Sequence, residues 1–136
     1  MKTLYKDNNL EIVIPENYED NLKINHGWCT NIKHMYDFHT KKLNQTLFRI
    51  IYVDGYILSI GVNKNDLTNG HWIDNVKDDK NRPTFLEIKF LNSDIFNYEK
   101  IKEIADLKNN NNLLNLANRV SKLSDKAKNS ILKELK

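Results

Sequence analysis

Thr46-Leu47-Phe48-Arg49-Ile50-Ile51-Tyr52-Val53-Asp54-Gly55-Tyr56-Ile57-Leu58-Ser59-Ile60-Gly61-Val62 is the stretch on which the fold turns. Two runs rich in aliphatic and aromatic residues, 46–53 and 56–62, flank an Asp54-Gly55 pair. Such a pair between two β-type runs signals a hairpin, because a type I′ turn needs positive φ at both central residues. Both runs are apolar on both faces, with Arg49, Ser59 and Gly61 as the exceptions. The hairpin 46–62 is therefore expected at the centre of an antiparallel sheet covered on both sides.

Upstream, Leu10-Glu11-Ile12-Val13-Ile14 is a short β-type run with Leu10, Ile12 and Ile14 on one face. Pro15 fits the first turn of a helix, where its missing N–H costs nothing, and Tyr18 and Leu22 then share a face. Asn25-His26-Gly27 breaks that pattern. Thr30 suits a helix N-cap, with Asn31 as the alternative, and Ile32, Met35, Tyr36, His39 and Leu43 follow as a helical stripe. A helix over 30–43 is expected to flank the sheet, with Lys41 and Lys42 at the negative end of its dipole.

Downstream, 70–76 reads as a third strand and 77–83 as a charged turn. The segment 84–91 carries two patterns. Thr84, Leu86, Ile88 and Phe90 alternate as in a strand, whereas Pro83 with Leu86 and Phe90 at i, i+4 fits a helix, and helix is the expectation. Asn97 caps a helix through Ile101, Ile104 and Ala105. A run of asparagines at 109–112 interrupts it. Leu113, Leu116, Val120, Leu123, Ala127, Ile131 and Leu135 then recur every three or four residues, and Ser124-Asp125 is able to restart the helix. The fold class is α+β, with an α+β domain over 1–108 and a basic amphipathic helical extension over 113–136 docked on it.

The chain has 136 residues, 40% of them apolar and 29% charged, which fits one globular domain. No apolar run approaches the roughly 18–20 residues that span a bilayer, and the N-terminus lacks the apolar region of a secretory signal. A single cysteine forms no internal disulfide, so the cytoplasm is the expected location, that of a host cell if the source is viral, with the virion as the other place. Lysine outnumbers arginine 18 to 3 and asparagine occurs 21 times, the bias of an AT-rich genome. Residues 113–136 carry a net charge of +4, which leaves −1 for the rest. Arg119, Lys122 and Lys126 of that tail are candidates for contact with nucleic acid or an acidic partner, against the plainer reading of a solvated helix face.

The chemistry-bearing residues cluster at His26-Gly27-Trp28-Cys29-Thr30 and on to His39. Cys29 at a helix start would sit where unpaired N–H groups favour a thiolate. With His71 and Asp74 it makes a candidate Cys-His-Asp set, the order of papain-like and transglutaminase-like folds; Gly70-His71-Trp72-Ile73-Asp74 resembles the transglutaminase histidine strand. Asp74 lies at i+3 from His71 on one strand, however, so the two side chains are expected on opposite faces. The other reading of Cys29 is a buried structural cysteine. His26, Cys29, His34 and His39 have ligand chemistry, but His34 and His39 at i, i+5 diverge around a helix, so no metal and no other cofactor is expected. Trp28, Trp72, Tyr36 and Tyr56 are able to stack on bases beside Lys33, Lys41 and Lys42, or else they are core. Trp28, Thr30 and Trp72 are carried forward as candidate binding residues.

The order Ile12-Val13-Ile14-Pro15, Trp28-Cys29-Thr30, Phe38, Leu47-Phe48-Arg49-Ile50-Ile51, Trp72-Ile73-Asp74 and Asp78-Asp79-Lys80-Asn81-Arg82-Pro83 resembles a family of uncharacterised phage proteins. Its members show a valine-rich strand ending in proline, a Trp-Cys-Thr/Ser motif and a later Asp-Arg-Pro stretch. The part centred on Cys29 also resembles a domain of PcfJ-like proteins of mobile elements. The likeness spans residues 10–100. It implies a phage or mobile-element source and a helix after Arg82-Pro83. It carries no activity, substrate or cofactor. Members differ at the position of His71, which weakens the pairing with Cys29. The functional expectation is a non-enzymatic accessory protein that binds a host or viral macromolecule, most simply a protein. A cysteine-dependent enzyme centred on Cys29 and a small virion or assembly component are the alternatives.

Overall fold

The computed structural model describes residues 1–24, 27–63, 69–77, 79–81, 83–89 and 95–136. Among them, strands β1 (Lys2–Lys6), β2 (Leu10–Ile14), β3 (Gln45–Tyr52), β4 (Ile57–Asn63), β5 (Asn69–Lys77) and β6 (Pro83–Lys89) form one antiparallel sheet in sequence order. Helices α1 (Tyr18–Leu22) and α2 (Lys33–Asp37) lie between β2 and β3, while α3 (Tyr98–Lys108), α4 (Asn111–Ser121) and α5 (Asp125–Glu134) follow β6. The fold is α+β, and the 46–62 hairpin supplies its two central strands.

Strand pairing sets what each face presents. Arg49 lies opposite Ser59, Leu47 opposite Gly61 and Ile51 opposite Ile57. Gly61 and Ser59 in turn lie opposite His71 and Ile73. One face therefore carries Phe48, Ile50, Leu58, Ile60, Val62 and Trp72, buried in one core cluster with Ile101, Ala105, Leu116, Val120 and Ile131 of α3–α5. The other carries Leu47, Arg49, Ser59, Gly61 and His71. Beside them Val13 and Ile57 pack under Ile24 and Trp28 from the segment between β2 and α2. The region read as a C-terminal extension is thus part of the layer that closes the first face. Ser124 caps α5 through Ala127 N, and Asn97 caps α3 through Lys100 N, both as expected.

Several expectations need correction. The turn at Asp54-Gly55 is not type I′. Gly55 alone of the pair has positive φ, +93°, and Gly55 N bonds Tyr52 O, so a three-residue loop puts only the glycine in the left-handed region. Residues 83–89 are strand rather than helix; β6 is an edge strand, where Pro83 loses no ladder bond at its start. Phe90 and Leu91 lie outside the described residues. The 30–43 helix is broken into a short 3₁₀ turn over Cys29–Asn31, the five-residue α2, and a π-helical turn over Phe38–Lys42. Thr30 does not cap it: Ile32 holds that position, with no side-chain bond. Leu22 is exposed, and α1 buries Asp20 and Asn21 instead. No helix among the described residues is long and apolar enough to cross a membrane.

Candidate functional site

The site begins with the lid over the polar face. Trp28 is buried, and its Nε1 donates to Asp74 O at 2.8 Å, which pins the lid to β5. Asn21 Nδ2 donates to Thr30 O at 2.8 Å, and Tyr18 OH donates to Asn31 O. The 3₁₀ turn is thereby held across the sheet by side chains of α1. Cys29, which opens that turn, is exposed, so it is not a buried structural cysteine.

Arg49 lies beneath the lid and is only 1% exposed. Its Nη2 donates to Asn21 Oδ1 at 2.9 Å and to Thr30 Oγ1 at 3.0 Å, and its Nη1 donates to Ser59 Oγ. Its guanidinium lies 4.7 Å from the centroid of the Trp28 ring. All three hydrogen-bond acceptors are neutral, and among the described residues Arg49 Nε has no partner. Burial pushes the Arg49 pKa down to about 9, against the opposing influence of Tyr36 and Cys29.

A cleft of about 300 Å³ opens beside this group. Cys29, Thr30, His39, Gln45, Arg49 and His71 line it together with Trp28, Leu43, Leu47, Gly70 and Ile73. His71 lies directly over Gly61: a Cβ there would come within 2.3 Å of its imidazole Cε1. The glycine is what leaves room for the ring. The His71 and His39 rings meet edge to face at 5.9 Å, and His39 Nδ1 pairs with Gln45 Oε1 at 2.9 Å. Burial, then the charges of His39 and Arg49, lowers the His71 pKa to about 4, so the ring is neutral at physiological pH.

The structure therefore brings Cys29 and His71 to one cleft but places Asp74 elsewhere. Asp74 is fully buried on the opposite face, where Tyr56 OH donates to its Oδ2 at 2.8 Å. Burial, then the neighbouring Asp74 carboxylate, raises the Tyr56 pKa far above its ordinary value. The i, i+3 spacing along a strand dictates this separation. The base-stacking reading fails on burial: Trp28, Tyr36, Tyr56 and Trp72 are all in the interior. Trp72 donates from Nε1 to Ile95 O at 3.2 Å and packs on Phe96. The Thr30 hydroxyl oxygen accepts from Arg49, and the residue lines the cleft.

Arg119 is likewise engaged inside the molecule. It pairs with Asp54 Oδ2 at 2.9 Å and covers the rings of Tyr52 and Tyr56 at 4.8 and 4.2 Å, tying α4 to the hairpin turn. Lys122 and Lys126 are exposed. His34 points into solvent, His26 lies outside the described residues, and among the described residues no three ligating side chains converge on a metal position. Arg49 and Gln45 are not among the residues that the sequence singles out for chemistry, and His39 is singled out there only as a metal-ligand type. A signal for the first existed in the hairpin: Arg49, Ser59 and Gly61 all have odd numbers, and the strand pairing puts them on one face.

No family model, curated protein or solved structure matches the chain.

Proposed function

We propose that this chain is a non-enzymatic accessory protein of phage or mobile-element type, which binds a host or viral macromolecule, a protein, through the cleft beside Cys29. The observation that supports the reading is the composition of that cleft. Cys29 and His71 share it, yet Asp74 is committed to Tyr56 on the far face of the sheet. An imidazole whose pKa is about 4 is also a poor proton acceptor for a thiol. What remains is a recess with apolar walls and a few fixed polar groups, the usual make-up of a recognition site. The assignment to phage or mobile elements draws on the Trp28-Cys29-Thr30 motif in order with its flanking strands.

A cysteine-dependent enzyme is the second reading, favoured by the exposure of Cys29 in the cleft that holds His71. Iodoacetamide labelling of native protein separates the two. The binding reading expects labelling at neutral pH no faster than that of free cysteine, and slower still when the macromolecular partner covers the cleft. Labelling many times faster than free cysteine would hand the site to the enzyme. A rate unchanged by every macromolecular fraction of the source cell would dismiss the accessory reading.

A further inference from the structure

We propose that the cleft binds a single carboxylate carried on a short apolar group, held by Arg49 and Thr30. Arg49 is buried, and its hydrogen bonds go to Asn21, Thr30 and Ser59, none of which carries charge. Among the described residues no carboxylate pairs with it. A buried cation without a counter-ion is costly, and an anionic ligand would offset that cost on binding.

Those three bonds use three of the five guanidinium N–H groups, and among the described residues the buried Nε has no partner. Thr30 Oγ1 accepts from Arg49, so its own hydrogen remains to donate. Both residues line the cleft. A carboxylate there would take one charge-assisted bond from Arg49 and one bond from Thr30.

Charge limits the ligand. Arg49 supplies one positive charge at neutral pH, and His71 adds none there because burial holds its pKa at about 4. A phosphate dianion would bring more negative charge than this guanidinium offsets. The apolar walls, Leu43, Leu47 and Ile73, suit a branched aliphatic group, and about 300 Å³ is at the small end of ligand pockets. The carboxylate is either that of a free small acid or that of a peptide chain ending in an aliphatic residue. The inference rests on the reading of the cleft as a binding surface.

The test uses the full chain and the Arg49 Nε–H resonance in ¹⁵N-labelled protein. Isovalerate should shift this resonance in a saturable way, and isovaleramide, its neutral isostere, should not. Thr30→Val should weaken isovalerate about tenfold, with Thr30→Ser restoring it. A peptide ending in leucine, as free acid and as amide, identifies the source. A shift from the peptide acid but not its amide assigns a chain terminus, and a shift from isovalerate alone assigns a free acid. An equal response to isovaleramide, a stronger response to inorganic phosphate, or no response up to the solubility limit of isovalerate would overturn the proposal. Such a result leaves the accessory reading standing, because Cys29 labelling decides that separately.

Discussion

Arg49 occupies a position where a covered strand would ordinarily carry an aliphatic residue, and the chemistry of its side chain explains why lysine does not stand there. The chain has 18 lysines and 3 arginines, yet both arginines among the described residues lie over aromatic rings, Arg49 on Trp28 and Arg119 on Tyr52 and Tyr56. A planar guanidinium serves several acceptors in its plane while its face rests on a ring; an ammonium does not. Arg49→Lys is expected to lower stability by about 2 kcal/mol in urea titration, because Asn21, Ser59 and Thr30 lose their common donor. His71 gives a prediction with a pH sign. Its pKa is about 4 in the folded chain against an ordinary 6.5, so between those values the unfolded chain binds more protons. Folding stability from this group is therefore intact above pH 6.5 and falls as pH drops toward 4. Relative to His71→Gln, the wild type should lose on the order of 3 kcal/mol across that window, read from urea midpoints at each pH. A difference that is flat with pH would show that the ring protonates freely where it stands.

At the scale of elements, the hairpin was legible and its turn was not. Alternating apolar runs around Asp54-Gly55 are enough to predict two paired strands, but turn type depends on which residue takes positive φ, and a dipeptide is compatible with more than one loop length. Gly55 has φ +93° with open space where a Cβ would sit, so Gly55→Ala meets backbone strain rather than a clash. Its expected cost is about 1–2 kcal/mol, with the hairpin pairing retained in amide exchange. β1 went unread because it is a short edge strand with lysine at both ends and mostly exposed side chains, which leaves little apolar period to detect. Residues 84–91 offered both periods, and only the neighbouring β5 decides between them, since an unpaired β5 edge recruits the strand. The 30–43 stripe predicts one helix, but the Thr30 hydroxyl is engaged with Arg49 in a 3₁₀ turn and the regular α-helix begins at Lys33. The candidate site shows the same limit: Cys29 and His71 were found by residue type, whereas the role of Arg49 depends on α1, the 3₁₀ turn and β4 meeting around it.

For the whole molecule, the question is whether the basic C-terminal region is an appendage or part of the fold. Its apolar positions Leu113, Leu116, Ala117, Val120, Ala127 and Ile131 share one core with the central strands. Two polar ties reinforce this: Lys2 Nζ meets Glu134 Oε1 at 2.8 Å from the opposite end of the chain, and Arg119 holds Asp54. Removing residues 113–136 would leave only α3 and the residues before it on that face of the sheet, so loss of binding after such a truncation would report unfolding rather than a lost contact. Point changes separate the roles. Leu116→Ala, at a fully buried position, should cost about 2–5 kcal/mol and shift the urea midpoint accordingly. Lys122 and Lys126 are exposed and form no ion pair among the described residues, so Lys122→Glu with Lys126→Glu should leave stability within about 0.5 kcal/mol of wild type. If the basic face tracks phosphates, wild-type affinity for a nucleic-acid duplex will fall steeply between low and moderate salt, and the double variant will bind more weakly with a shallower salt slope. If the face is only solvated, wild type and variant will bind alike at every salt concentration, and these lysines serve to keep the outer surface of α4 and α5 in water.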